Sequence, residues 1–238
     1  MIDVVIPFVK GRHWEEKLRY VLRSFQLNFK EDFSLSIIGY LPDWCRDIIH
    51  IPFADDITRH TEFNLGKKLK IAQERYSEFI WTYDDIYFLQ PVTLQDIAAP
   101  KVNEYLGLYS KEQRGTGPHF DQIWATYDRC LELGLPGYSF QNHLPYYFES
   151  AKLAKAFELF NIEAGEHLAQ TAYFNLFFPG KDKLIWDHNK VVFYSREDFS
   201  NNPDFGRAKF LNHNDDGLTP RLRKRIKKLF PEKSKFEK

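Results

Sequence analysis

Phe79-Ile80-Trp81-Thr82-Tyr83-Asp84-Asp85-Ile86-Tyr87-Phe88-Leu89 is an apolar, aromatic and β-branched run that two adjacent carboxylates interrupt. Such a run predicts a buried parallel strand, and charges inside it are costly unless something compensates them. A hard divalent cation, Mn²⁺ or Mg²⁺, is the simplest compensation, because it takes carboxylate oxygens and shares the rest of its shell with substrate phosphates. Asp-Asp at a strand end is also a common solvated turn or helix cap, so position matters. In open α/β sheets, ligands sit outside the carboxyl ends of the strands.

Upstream of this run the chain alternates as an α/β domain does. Asp3 to Phe8 reads as a strand, and Trp14, Leu18, Val21, Leu22, Phe25 and Phe29 follow at helical spacing. Leu35 to Tyr40 and Ile48 to Phe53 read as two further strands, and Leu65, Leu69, Ala72 and Tyr76 mark a second helix that delivers the chain to Phe79. The order predicts a mostly parallel, Rossmann-like sheet flanked by helices. Downstream, Val92 to Pro118 is loop-rich and reads as a lobe that closes over a site. Helices resume at Ile123, at Ser150, which is placed to cap, and over Glu163 to Phe177; Val191 to Tyr194 reads as a strand. We read one domain in three parts: a ligand-binding α/β half (1–92), a loop-rich and helical acceptor lobe (93–195) and a C-terminal segment with a basic helix (196–238).

With 238 residues and 43% hydrophobic content, the chain is long enough for one substantial core. Its two cysteines, Cys45 and Cys130, form no legible disulfide framework or zinc site, which points to a reducing compartment. No basic leader and no run of eighteen apolar residues is present, so a cytoplasmic protein without a transmembrane segment is expected. The formal net charge is zero, which excludes a global field for nucleic acid or acidic lipid. From Arg221 onward, however, nine Lys and Arg face two Glu. Leu222, Ile226, Leu229 and Phe230 sit at helical spacing there, so a helix docking by that stripe leaves Arg223, Lys224, Lys227 and Lys228 for an anionic acceptor, or simply for solvent.

Three polar groups are candidates for the carboxyl edge of the sheet: Asp84-Asp85; Gln141-Asn142-His143-Leu144-Pro145 with Asp121 and Glu149; and His213-Asn214-Asp215-Asp216. A metal-dependent transferase needs a cation for a leaving diphosphate, a base or charge stabiliser at the attacking hydroxyl, and donors that hold the nucleotide. Asp84, Asp121 and His143 are the candidates for catalysis. His143 before Leu-Pro is equally a turn residue, and Asp215-Asp216-Gly217 a turn signal. Asp55-Asp56 is placed for ribose or base, or for capping a turn. Lys67 and Lys68, with Arg12 and Arg19, are placed for phosphate, or for a solvated helix face.

Ile2-Asp3-Val4-Val5-Ile6-Pro7, a following helix, and Tyr83-Asp84-Asp85 resemble the nucleotide-sugar-binding half of GT-A glycosyltransferases. That resemblance implies a GT-A-like fold, a first-strand end at Pro7 and Phe8 that cradles the nucleotide, Asp85 as a ligand of Mn²⁺ or Mg²⁺ and Asp84 on ribose or sugar. It also implies a late histidine on the metal, the place where His213 stands. Leu18-Arg19-Tyr20-Val21-Leu22-Arg23-Ser24-Phe25, Tyr83 to Leu89, Asn142-His143-Leu144-Pro145 and Lys209 to Asp216 further resemble, in order, conserved segments of Stealth-type sugar-phosphate transferases and the short phage and bacterial proteins related to them. Lys10, in Phe8-Val9-Lys10-Gly11, departs from the acidic residue of that family's opening segment. The resemblances together imply a transferase taking a nucleotide sugar, a UDP-sugar first among them, with Pro7, Phe8, Arg12, Asp55, Lys67 and Asp84 on the donor. Its acceptor is a glycan or another hydroxyl-bearing polymer, modified DNA included. Sugar-1-phosphate transfer and a non-catalytic carbohydrate- or nucleotide-binding module are the alternatives.

Overall fold

Along Ile2–Phe8 (β1) successive side chains point to opposite faces of a sheet, and both faces are apolar, so the strand needs cover on each side. A computed structural model supplies that cover; it describes residues 1–11, 14–59, 61–178, 180–195 and 204–238. After β1 come helix α1 (Trp14–Asn28), strands β2 (Phe33–Gly39) and β3 (Ile49–Ile51), helix α2 (Thr61–Arg75) and strand β4 (Glu78–Trp81). Then follow β5 (Ile86–Phe88), α3 (Leu94–Ala98), β6 (Glu104–Tyr105), α4 (Pro118–Glu132), β7 (Tyr138–Ser139) and β8 (Tyr146–Glu149). The chain ends through α5 (Ser150–Leu159), α6 (Ala169–Leu176), β9 (Lys190–Phe193), β10 (Phe210–His213) and α7 (Pro220–Leu229).

The principal sheet has the order β3-β2-β1-β4-β8, with the first four strands parallel and β8 antiparallel to β4. Val4, Ile6, Phe8, Leu35, Ile37 and Ile80 face a core shared with Leu18, Val21, Leu22 and Phe25 of α1. Val5, Ile38, Phe79 and Trp81 face a second core shared with α2, α5 and α6. The protein is therefore a mixed α/β molecule with a mostly parallel sheet covered by helices on both faces. Two smaller sheets, β5-β10-β9 and β6-β7, complete the strand pairing among the described residues. None of the described helices is long and apolar enough to cross a membrane.

The structure departs from the sequence reading at several places, among them α3 and β6 inside the stretch read as loop and a third strand shortened to Ile49–Ile51. The Phe79 run is two strands in two sheets, because the chain turns at Thr82–Asp85 and Ile86 N–H donates to the Tyr83 carbonyl at 3.4 Å. Strand β8 adds an antiparallel edge that the alternation of the first half does not predict. Ser150 begins α5 without capping it, since its hydroxyl is spent on the Tyr76 carbonyl. The helix expected over Glu163 to Phe177 starts only at Ala169: Gly165 has φ +73° and packs so closely on Phe63 that a Cβ would lie 2.6 Å from its backbone nitrogen.

Candidate active site at the carboxyl edge of the sheet

Chain order explains where the cavity forms. From β1 the chain moves outward to β2 and β3, then returns through α2 to lay β4 on the other side of β1. The strand order reverses between β1 and β4, and the crevice outside such a reversal is where open α/β sheets bind ligands. Here it is a cavity of about 490 Å³, walled by Pro7 and Val9 at the end of β1, Asp55 to Ile57 after β3, the first turns of α2, and Tyr83, Asp84 and Asp85 after β4. Gln141 and His143 complete the wall. They arrive there because β8 runs antiparallel to β4, with Tyr146 opposite Trp81, so the segment preceding β8 lies at the carboxyl end of β4.

Asp85 Oδ1 is 2.9 Å from His143 Nε2, and the His143 ring stacks on Tyr83 at 5.0 Å between centroids. His143 takes a left-handed backbone, φ +48°, before Leu144-Pro145. Its segment is held by Asn142, whose amide donates to the Lys101 carbonyl and whose own carbonyl accepts from Lys190 Nζ. Burial and then the neighbouring Asp85 charge push the Asp84 carboxyl up to about 7. For Asp85 burial acts the same way, but the charge and hydrogen bond of His143, with smaller help from His213 and Lys17, hold its pKa below the usual carboxylate value. His143 shows the converse: burial opposes its charge, and Asp85 outweighs burial to raise it. The two carboxyls are thus pushed apart, Asp84 toward its neutral form and Asp85 toward its ionised one, as expected for adjacent, partly desolvated acids.

Asp55 also belongs to the wall, held by Lys68 of α2. Lys67 does not line the cavity; its ammonium lies over the Phe63 ring at 4.6 Å. Lys68 takes the place expected of it, because Leu65, Lys68, Leu69 and Ala72 share the face of α2 that meets the sheet, and Lys67 lies off that face. Pro7 lines the cavity, whereas the Phe8 ring is in the core. Arg12 lies outside the described residues. Arg19 is paired with Glu237 at 3.0 Å.

Asp121 does not reach the site: it is exposed on the first turn of α4, away from the cavity lining. Glu149 is at the opposite end of the sheet, level with Glu78 at the start of β4, and pairs with Lys152. His213 sits one step beyond the Asn212–Ile86 pair, level with Asp85, but faces inward. Its Nδ1 is 2.9 Å from the Asn214 carbonyl and its Nε2 is 3.0 Å from the Tyr87 hydroxyl. The carbonyl requires a proton on Nδ1, so Nε2 accepts from Tyr87 and its lone pair is engaged. Asp215 pairs with Lys17 at 2.6 Å. Gln141 reaches the wall with the segment expected there, whereas sequence reasoning missed Glu62, which lines the cavity, and Lys17, whose charge reaches the carboxylate pair. Lys17 had a signal, since it lies one turn inside a helix that starts at the carboxyl edge.

Among the described residues no group of three or more His, Cys, Asp and Glu side chains gathers as a metal's ligand set. Asp84 and Asp85 nevertheless fit a hard cation of the Mg²⁺ type, which takes one or two carboxylates and completes its shell with water and substrate oxygens. His213, as it is held, does not fit. No protein-family model matches the chain, and no curated protein matches it.

Proposed function

We propose that this protein is a GT-A-like transferase that moves a sugar from a nucleotide-sugar donor to an acceptor hydroxyl with the help of Mn²⁺ or Mg²⁺. The observation that carries the reading is the half-buried Asp84-Asp85 turn at the carboxyl end of β4, where the strand order reverses beside a cavity in the 300–1,000 Å³ range of small-molecule sites. Asp55, Asp56, Glu62, Asp84 and Asp85 line that cavity against Arg59, Lys68 and His143. A diphosphate entering this acidic surround needs added positive charge, which a cation held by Asp85 and Asp84 supplies.

The chain's own residues do the rest. Lys17, paired with Asp215, is near enough for its charge to favour the ionised form of both carboxyls. His143, oriented by Asp85 and stacked on Tyr83, presents an imidazole to the cavity and is the group placed to stabilise charge or move a proton at the acceptor hydroxyl. Asp55 accepts hydrogen bonds from the donor's hydroxyl or amide groups.

A thermal-shift screen of nucleotide sugars with Mn²⁺ tests the reading, because a ligand at about a hundred times its Kd stabilises by roughly 2.7 kcal/mol. We expect one nucleotide sugar to raise Tm with Mn²⁺ and not with EDTA, and Asp85→Asn to abolish that rise while keeping the ligand-free Tm close to wild type. Binding indifferent to EDTA in both proteins would sink it. His143, as a cationic partner for phosphate, favours sugar-1-phosphate transfer as the second reading. Release of a nucleoside monophosphate in place of a diphosphate identifies that reaction.

A further inference from the structure

Lys68 is the buried charge that the site does not use directly. Its side chain is 2% exposed, and its ammonium meets three oxygens: Asp55 Oδ1 at 2.8 Å, Asp55 Oδ2 at 2.9 Å and the Phe8 carbonyl at 3.3 Å. The two oxygens of one carboxylate lie too close together to take separate protons of a tetrahedral ammonium, so Asp55 engages Lys68 side-on through Oδ2, the Phe8 carbonyl takes a second proton, and burial covers the rest of the ammonium. The partners come from separate elements, the end of β1, the loop after β3 and α2 itself, and they meet under the cavity. The strand ends crowd the same point: a Cβ on Gly39, whose φ is +125°, would lie 2.0 Å from Phe8 O and 3.2 Å from Lys68 Nζ. Asp55 is mostly buried, yet its carboxylate lines the cavity. Each of its oxygens accepts a further hydrogen, so it offers the ligand an acceptor fixed in place. The neighbouring loop is anchored too, since Asn64 accepts from Asp56 N–H at 2.9 Å and donates to the Asp56 carbonyl at 3.0 Å.

Resting on the nucleotide-sugar reading, we propose that Lys68 is a positioning residue: it fixes Asp55 as the acceptor for O–H or N–H groups of the donor's nucleoside, and touches no phosphate. The ligand's polarity follows. The nucleoside lies against Asp55, and the diphosphate lies at Asp84 and Asp85 in the same cavity.

Calorimetric titration with Mn²⁺ present decides it, using UDP, CDP, GDP and ADP as nucleoside probes and inorganic pyrophosphate as the phosphate-only probe. Lys68→Met is expected to weaken the tightest nucleoside diphosphate about tenfold or more and to leave pyrophosphate within about twofold. In an Asp55→Ala background, Lys68→Met should add no further loss, because it acts through a carboxylate already removed. Parallel losses for nucleotide and pyrophosphate, or additive losses in the double variant, would overturn the proposal by making Lys68 a phosphate ligand. If Lys68→Met does not fold, Lys68→Arg keeps the charge but not the three-oxygen seat, and the same pair of affinities applies. Wild-type protein that binds pyrophosphate as tightly as every nucleoside diphosphate overturns the nucleotide-sugar reading itself, and this proposal with it. Loss of the 2′-deoxy analogue's affinity identifies ribose as the partner of Asp55; unchanged affinity identifies the base.

Discussion

Asp84 and Asp85 are adjacent, chemically identical and pushed in opposite directions, because Asp85 faces His143 whereas Asp84 has chiefly burial and its neighbour's charge. In metal-free protein the folded state holds the Asp84 proton to about pH 7, and the unfolded chain gives it up near pH 4. Folded protein thus binds more protons between those values, and this group's contribution to stability falls as pH rises through that window. Asn at position 84 stays neutral throughout. Asp84→Asn in EDTA should therefore match wild type near pH 4 and exceed it at pH 8 by more than about 1 kcal/mol, since each pKa unit is worth about 1.4 kcal/mol. Urea titrations at both pH values check this; parallel pH profiles would deny the raised pKa. His213 offers a second test at this scale. Tyr87→Phe removes the proton that His213 Nε2 accepts, leaving a buried acceptor unpaired at a cost of about 1–3 kcal/mol. Mn²⁺ affinity should not change, because His213 belongs to the Tyr87 packing; tighter Mn²⁺ binding in Tyr87→Phe would return it to the metal shell.

At the scale of elements, the C-terminal segment is a clasp on α1. The stripe predicted for α7 is real: Leu222, Ile226 and Phe230 are buried and Leu229 packs against them. What lay beyond sequence patterning is the clasp's polar half. Glu237 is 2% exposed and pairs with Arg19 and Arg23, 218 and 214 residues away, while Glu16 pairs with Arg223 and Lys227. Partners so distant leave no periodic signal. Burial alone would raise the Glu237 pKa, but the arginines and the Ser234 N–H bring it down to about 2. A depressed carboxylate stabilises above its unfolded value, near 4.5, and that stability is lost as pH falls toward 2. Glu237→Ala should cost about 3 kcal/mol at neutral pH, as for a buried pair stripped of one partner, and the gap to wild type should close on acidification. A constant gap from pH 7 to pH 3 would assign the loss to packing. Lys68 in place of Lys67 is the other lesson here: the stripe Leu65, Leu69, Ala72 contains the answer, but paired lysines are by default read as solvated.

For the molecule as a whole, the sheet and the reversal beside β1 are legible because strand and helix periodicities alternate cleanly up to Trp81, and ligand placement follows from strand order alone. The later half is less legible. Its strands are two to four residues long, and β8 and β10 find their places through pairing with distant β4 and β5. The basic segment shows the same limit for function. Of the lysines and arginines expected to meet an acceptor, Arg223 and Lys227 are engaged by Glu16, while Lys224 and Lys228 are exposed one turn apart on α7. The docked helix keeps its apolar stripe in the core, so what it presents outward is charge. If the acceptor is a polyanion, affinity must fall with salt through counterion release, with a slope of about 0.9 per neutralised phosphate on duplex DNA. Lys224→Gln with Lys228→Gln should reduce that slope by roughly 1.8 and leave Tm unchanged. Arg223→Gln with Lys227→Gln should do the reverse, lowering Tm by abandoning Glu16 and shifting the slope little. Binding measured against duplex DNA from low to moderate salt separates the two, and identical slopes for wild type and the Lys224/Lys228 pair would make the face a solvated surface with no part in acceptor recognition.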